Sequence, residues 1–181
     1  MAPGGFAAGF AGFWFSHVPR SRVGEFLRGF HAALSPGAKV VLLDNRNSFE
    51  YRLGRFQNAI DPQVTNFRDF PAYVQAHLDE WKAQGKRVAM YCTGGIRCEK
   101  TSAWMADLGM PVYQLEGGIL NYFREMPDAE RDWQGECFVF DNRVALDTRL
   151  QETDTTLDDV YTGEPDDQWR LERARRLGAD D

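Results

Sequence analysis

The chain has 181 residues, 43% of them hydrophobic and 13% aromatic, which is enough to bury an independent core without disulfide or metal staples. Its net charge of −6 excludes broad nonspecific attraction to polyphosphate, and no uncharged apolar stretch reaches the ~20 residues that a membrane-spanning helix needs. Three cysteines, with no positive n-region ahead of the apolar and glycine-rich stretch 2–16, fit a reducing cytoplasm. Residues 1–16 are expected to be a poorly ordered leader, because glycine, proline and alanine interrupt every candidate period.

Ser21 caps the first predicted helix, in which Val23, Phe26, Leu27, Phe30 and Leu34 recur at three- and four-residue steps until Ser35-Pro36-Gly37 stops it. Val40 to Asp44 is almost wholly apolar, the pattern of a central parallel strand covered on both faces. Asp44 then falls at a carboxyl end, where open α/β sheets place their sites. Residues 65–84 read as a helical region broken at Pro71, with Phe67, Phe70, Tyr73, Val74, His77, Leu78 and Trp81 on its apolar side and Gly85 as its end. A strand from Arg87 to Tyr91 follows, then a glycine loop, then a helix carrying Ala103, Trp104, Ala106 and Leu108 up to Gly109. Val112 begins another strand, Gly117-Gly118 a turn, Ile119 to Glu125 a helix, and Glu136 to Phe140 a short extended segment. Alternation of strand and helix predicts parallel crossovers in a three-layer arrangement.

Beyond that point the composition changes. Residues 151–168 are acidic and poor in large apolar groups, which reads as a solvated linker. Glu164-Pro165-Asp166-Asp167 opens a last helix that finishes with Arg173, Arg175 and Arg176, charges arranged as the helix dipole prefers. The expected organisation is a leader over 1–16, one domain over 17–146, and an acidic linker with a C-terminal helix over 147–181.

Chemistry concentrates at Cys92-Thr93-Gly94-Gly95-Ile96-Arg97-Cys98-Glu99-Lys100, between the Arg87–Tyr91 strand and a helix. Strand, glycine loop and helix N-terminus let successive N–H groups converge on one sulfur and favour its thiolate, and Arg97 adds a full charge. Cys92 is therefore the candidate nucleophile. Only four residues separate it from Arg97, one fewer than in the Cys-x5-Arg loop with which cysteine phosphatases encircle phosphate, so the ring suits a smaller guest. Cys98 is either a resolving thiol or a small buried residue, and Cys137 reads as core. His17, His31 and His77 lack metal-ligand spacing with the cysteines, so no zinc site is expected, and chemistry carried by Cys92 alone requires no metal or organic cofactor. Arg46, Arg52, Arg55, Arg68 and Arg97 fall near the same side and are expected to form, at most, a local basic face.

The loop resembles that of rhodanese-homology domains. So does the run from Val40 through Asp44-Asn45-Arg46 and Glu50-Tyr51 to Gly54 and Asn58-Ala59-Ile60, as does Val112-Tyr113-Gln114-Leu115-Glu116-Gly117-Gly118-Ile119. Together with Gly135 to Val144, these strings look most like the rhodanese module of bacterial tRNA uridine-34 hydroxylases. The resemblance implies an α/β fold, a single rhodanese-like three-layer domain whose central, mostly parallel, five-stranded sheet is flanked by helices. It also implies Cys92 as catalytic residue, Thr93, Gly94, Gly95, Ile96, Arg97 and Cys98 as the substrate-binding loop, and Asp44, Arg46, Glu50, Gly117 and Gly118 as its supports. Arg97 is expected to point toward the loop mouth and hold an anionic donor.

The expected activity is sulfur transfer through a Cys92 persulfide, from a donor such as thiosulfate to cyanide, a thiol or a protein thiol. The alternatives are hydroxylation of tRNA uridine-34 and a noncatalytic docking module. The hydroxylases carry an N-terminal α+β domain for which the some 37 residues ahead of the first strand are too few, so tRNA ranks second as a partner. No membrane partner is expected.

Overall fold

The computed structural model describes residues 40–110, 112–162 and 164–178. The leader over 1–16, the helix expected after Ser21, His17 and His31 lie outside them. In chain order the elements are β1 (Val40–Asp44), α1 (Ser48–Leu53), β2 (Gly54–Phe56), α2 (Phe70–Ala83), β3 (Arg87–Tyr91), α3 (Ile96–Asp107) and β4 (Val112–Gln114). There follow α4 (Gly118–Glu125), β5 (Trp133–Gly135), β6 (Cys137–Phe138), β7 (Ala145–Leu146), α5 (Leu157–Val160) and α6 (Pro165–Gly178).

β1, β3 and β4 pair in parallel in the order β1-β3-β4, with Val41 opposite Val88 and Asp44 opposite Tyr91. Because successive strand residues face opposite sides, β1 and β3 feed two cores. Leu42, Ala89 and Tyr91 pack with Phe56, Ile119, Tyr122 and Trp133, under α4 and the antiparallel pair β2–β5. Val41, Leu43, Val88 and Met90 pack with Phe70, Val74, Trp81 and Met105, under α2 and α3. The three layers follow from that alternation.

The sheet differs from the five strands expected. Among the described residues it has three, extended on the β1 edge by a single parallel bridge between Leu43 and Ile60. Asn58 sits at φ 61 just before that bridge, and Pro62, which has no N–H to donate, follows just after it, so the stretch pairs at one residue and goes no further.

The segment read as a solvated linker is packed. Val160 is buried against Phe49 and Phe138. Thr153 and Thr155 both donate to Glu136 Oε2, at 2.9 and 2.6 Å. From α6, buried Asp167 pairs with Arg52 at 2.5 Å, while the Arg170 guanidinium lies over the Phe49 ring and donates to the Thr65 carbonyl. The contacts to Phe49, Arg52 and Thr65 connect positions more than a hundred residues apart, which local composition does not encode. No helix among the described residues is long and apolar enough to cross a membrane.

Candidate active site

Cys92 follows the last residue of β3 and is buried. The chain then turns through Gly95, whose φ of 91 lies in the left-handed region, and enters α3 at Ile96. The turn brings the Gly95 N–H to 3.2 Å from Cys92 Sγ, and the Arg97 and Cys98 amides at the start of α3 favour negative charge on the same sulfur. The Cys98 thiol acts in the same direction. That thiol, the two helix amides and the Arg97 charge prevail over burial and bring the Cys92 thiol down from 9.0 to about 6. At neutral pH the sulfur is mostly thiolate.

Arg97 does not reach outward as expected. Its fork closes on Glu50 of α1, with Nη1 at 2.7 Å from Oε2 and Nη2 at 2.8 Å from Oε1, and Nη2 also meets Thr93 Oγ1 at 3.2 Å. Glu50 is fully buried and takes the Asn47 N–H at 3.1 Å as well. The guanidinium is thus neutralised by a bidentate carboxylate and clamps α1 to the loop. It is poorly placed to capture a free dianion. Ile96, one residue earlier, is 66% exposed and lies on the surface beside the loop.

Behind the loop, the Ile119 and Leu120 N–H groups at the start of α4 donate to the carbonyls of Cys92 and Thr93 at 3.0 and 3.2 Å. Gly118, at φ 66, makes that approach possible: a Cβ there would lie 2.3 Å from the Cys92 oxygen and 2.5 Å from that of Thr93. Gly117 packs against Gly95 in the same turn. Gly94 differs, since it has no positive φ and a Cβ there would meet nothing within 4 Å.

Asp44 and Arg46 form a pair with no exposed side-chain surface, set under the strand ends rather than on the loop. Arg46 Nε and Nη2 lie 2.8 and 2.6 Å from the Asp44 oxygens, and Nη2 also reaches the Gly54 carbonyl at 2.6 Å. The Tyr91 hydroxyl donates to Asp44 Oδ2 at 2.7 Å. This pair ties β1 to β3 and β2, and it takes Arg46 out of any basic face. Arg52 is likewise committed to Asp167.

Three participants were not singled out as site residues in the sequence. Asn45, buried next to the Asp44–Arg46 pair, donates through Nδ2 to Thr101 Oγ1 at 3.0 Å and toward Cys98 Sγ at 3.9 Å. Thr101 completes that contact from α3. Phe140, 68% exposed, places its ring centroid 5.8 Å from the Arg97 guanidinium carbon. All three depend on contacts between distant segments. Burial raises the Cys98 thiol well above its ordinary range, and at Cys137 it pushes the thiol up to about 12. Cys98 is therefore a hydrogen-bond donor at neutral pH. Among the described residues no cluster of three His, Cys, Asp or Glu is placed to hold a metal.

This arrangement makes Cys98→Ala informative. With the thiol donor gone, the Cys92 ionisation midpoint is expected to climb from about 6 toward 9.0. Thiolate at neutral pH then falls by roughly tenfold or more, whereas Cys98→Ser, which keeps a donor, holds most of it. The measurement is the pH profile of Cys92 alkylation, and an unchanged midpoint in Cys98→Ala assigns the shift to the amides and Arg97 alone.

The family described as "Rhodanese-like domain" matches residues 30–125. Proteins named tRNA uridine(34) hydroxylase from Legionella pneumophila are similar over 138 residues, at 52% identity in strains Corby and Lens and 51% in strain Paris. The match takes in 76% of this chain, which spans about half the length of those curated relatives (50%). Sulfur transfer from thiosulfate, the activity expected from sequence, is overturned by these relatives, whose name is that of the alternative. The engagement of Arg97 by Glu50, where an anionic donor was to bind, agrees with the correction. Built around a strand-loop-helix cysteine site and matched by the family over more than half its length, the chain belongs to the rhodanese-like domain family.

Proposed function

We propose that this chain carries the catalytic module for hydroxylation of uridine-34 in tRNA, with Cys92 as its nucleophile. The observation that carries the reading is the 138-residue match, at 51–52% identity, to proteins named for that reaction. Thr93, Gly94, Gly95, Ile96, Arg97 and Cys98 form the frame that stabilises the thiolate, and Glu50, Asp44, Arg46, Gly117 and Gly118 hold that frame.

The chemistry of the base suits a thiolate. C6 of uracil is electrophilic, because the C5–C6 double bond is conjugated to the C4 carbonyl, and a sulfur anion adds there. As the Sγ–C6 bond forms, the π pair moves toward O4 and leaves C5 nucleophilic. C5 then bonds to the oxygen of a two-electron oxygen donor, which departs reduced. Loss of the C5 proton and expulsion of the thiolate restore the ring. Replacing C5–H by C5–OH removes two electrons from the base, so the oxygen donor is an obligatory co-substrate. The N–H groups around Sγ serve both ends of this sequence, stabilising the sulfur as nucleophile and as leaving group.

The test expresses this protein in a strain lacking its own hydroxylases and analyses tRNA nucleosides by mass spectrometry. We expect 5-hydroxyuridine in tRNA with the wild type and none with Cys92→Ser. Nucleosides indistinguishable from the empty-vector control, or a product that persists in Cys92→Ser, sink the proposal.

A further inference from the structure

We propose that Phe140 is a stacking platform for a nucleobase of a single-stranded RNA segment, positioning the substrate strand at the rim of the Cys92 loop. This inference rests on the tRNA reading above and adds to it a place where the RNA is held.

Phe140 is a large hydrophobic side chain held in water by a rigid backbone. It is 68% exposed, yet its ring is set edge-on to that of buried Phe138, at 4.9 Å between centroids and 88° between planes. Phe138 is in turn packed edge-on against buried Phe49 at 5.2 Å. The connection after β6 is closed by the Val139 N–H to Val144 carbonyl bond at 2.9 Å and the Val144 N–H to Asp141 carbonyl bond at 3.1 Å. Arg143 adds a fork to Asp141, with contacts of 3.0 and 2.7 Å. An aromatic ring fixed in this way loses little entropy on binding, while leaving it in water forgoes the stabilisation of burial.

Its position gives the ring a use. The Arg97 guanidinium carbon lies 5.8 Å from the ring centroid, and Arg97 closes the loop that opens at Cys92, whose thiolate its charge favours. One residue thus links the exposed ring to the loop that carries the reactive atom. Single-stranded RNA is recognised by unstacking bases onto aromatic faces beside guanidinium groups. Stacking is also the source of affinity that suits an acidic chain. With a net charge of −6, and with Arg46, Arg52 and Arg97 each paired to a carboxylate, three of the five arginines expected near the loop are already engaged and offer phosphate little. A stacked base needs none of them, and its contribution changes little with salt.

The probe is an anticodon stem-loop RNA carrying uridine at position 34, titrated into the full chain. In Phe140→Trp, after subtraction of the wild-type signal, the added indole fluorescence is expected to be quenched as RNA binds. Phe140→Leu should weaken binding by roughly tenfold to a hundredfold. The Cys92 ionisation midpoint should stay put, which separates a binding role from a disturbed loop. Equal affinities for wild type and Phe140→Leu, quenching that grows with protein concentration in the absence of RNA, or no binding of the stem-loop by wild type each overturns the inference. Hydroxylation with unchanged KM and kcat in Phe140→Leu refutes the platform and leaves the hydroxylase reading standing. Phe140-dependent binding without any 5-hydroxyuridine supports the platform and refutes the hydroxylase reading.

Discussion

Arg46→Met is expected to cost about 3–5 kcal/mol of folding stability, a large share of what a domain of this size possesses. The methionine replaces most of the volume, but it leaves the Asp44 carboxylate buried with one hydroxyl donor, that of Tyr91, and a single backbone contact at Arg46 N–H. It also removes the cation from between the Tyr91 and Trp133 rings, whose faces lie 5.5 and 5.4 Å from it, and abandons the Gly54 carbonyl. Burial already pushes the Asp44 carboxyl above its usual range, against the pull of Arg46. Without Arg46 it rises further. The sign of the pH dependence follows: between the unfolded carboxyl value of about 3.9 and the raised folded one, the folded state holds more protons than the unfolded state. The variant therefore loses stability, relative to wild type, as pH rises through that interval. Urea denaturation at acid and neutral pH reads both effects. A loss below about 1 kcal/mol, or one that is larger in acid, would mean that Asp44 finds another partner. Replacing Asp44 by Leu in the same chain should recover much of the deficit, because the stranded charge then disappears.

The sequence was most legible where neighbours along the chain decide the structure. β1 and β3 have the bounds expected of them, since an apolar run between breakers needs nothing distant to define it. The helical region before Gly85 splits near Pro71 into a short 3-10 turn, Phe67–Asp69, and α2, with Phe70, Val74 and Trp81 on the buried side. The strand-loop-helix setting of Cys92 and the turn at Gly117-Gly118 were likewise local patterns.

Legibility ended where distant segments meet. The buried residues of α3 are Cys98, Thr101, Ser102 and Met105, whereas Ala103 and Ala106 are exposed, so hydrophobicity alone misjudges that face. Thr101 and Ser102 are buried without penalty because each hydroxyl bonds the carbonyl four residues back, and Ser102 also meets Gln114 across the layer. Arg97 and Glu50 both read as site residues, yet nothing in their spacing said that they close on one another. The activity was misranked for a different reason, since the strings that resemble the hydroxylase module were read in the sequence and then set second to sulfur transfer. The loop favours a thiolate, which is compatible with more than one reaction, so the cysteine and its neighbours along the chain do not select the substrate.

Gly118→Ala is expected to destabilise the protein by roughly 3–5 kcal/mol and to disturb Cys92 even in the fraction that folds. The left-handed conformation at φ 66 costs an alanine about 1–2 kcal/mol on its own. The larger part comes from space. The methyl would sit 2.3 Å from the Cys92 oxygen and 2.5 Å from the Thr93 oxygen, and neither is the free end of a side chain that could swing away. Either α4 retreats from the loop, which stretches the Ile119 and Leu120 N–H bonds to those same oxygens, or the loop itself shifts and the Gly95 N–H leaves the sulfur. Each lost bond costs about 1 kcal/mol, and the second route also returns the Cys92 thiol toward its ordinary ionisation. Gly94→Ala is the matched control, a methyl added two residues from Cys92 on the same loop with nothing within 4 Å of it, and it is expected to be nearly neutral. Denaturation midpoints and the Cys92 alkylation profile of the two variants, measured side by side, test the claim that close backbone approach at Gly118, more than loop flexibility, holds the sulfur in place. If the two alanines behave alike, that claim fails.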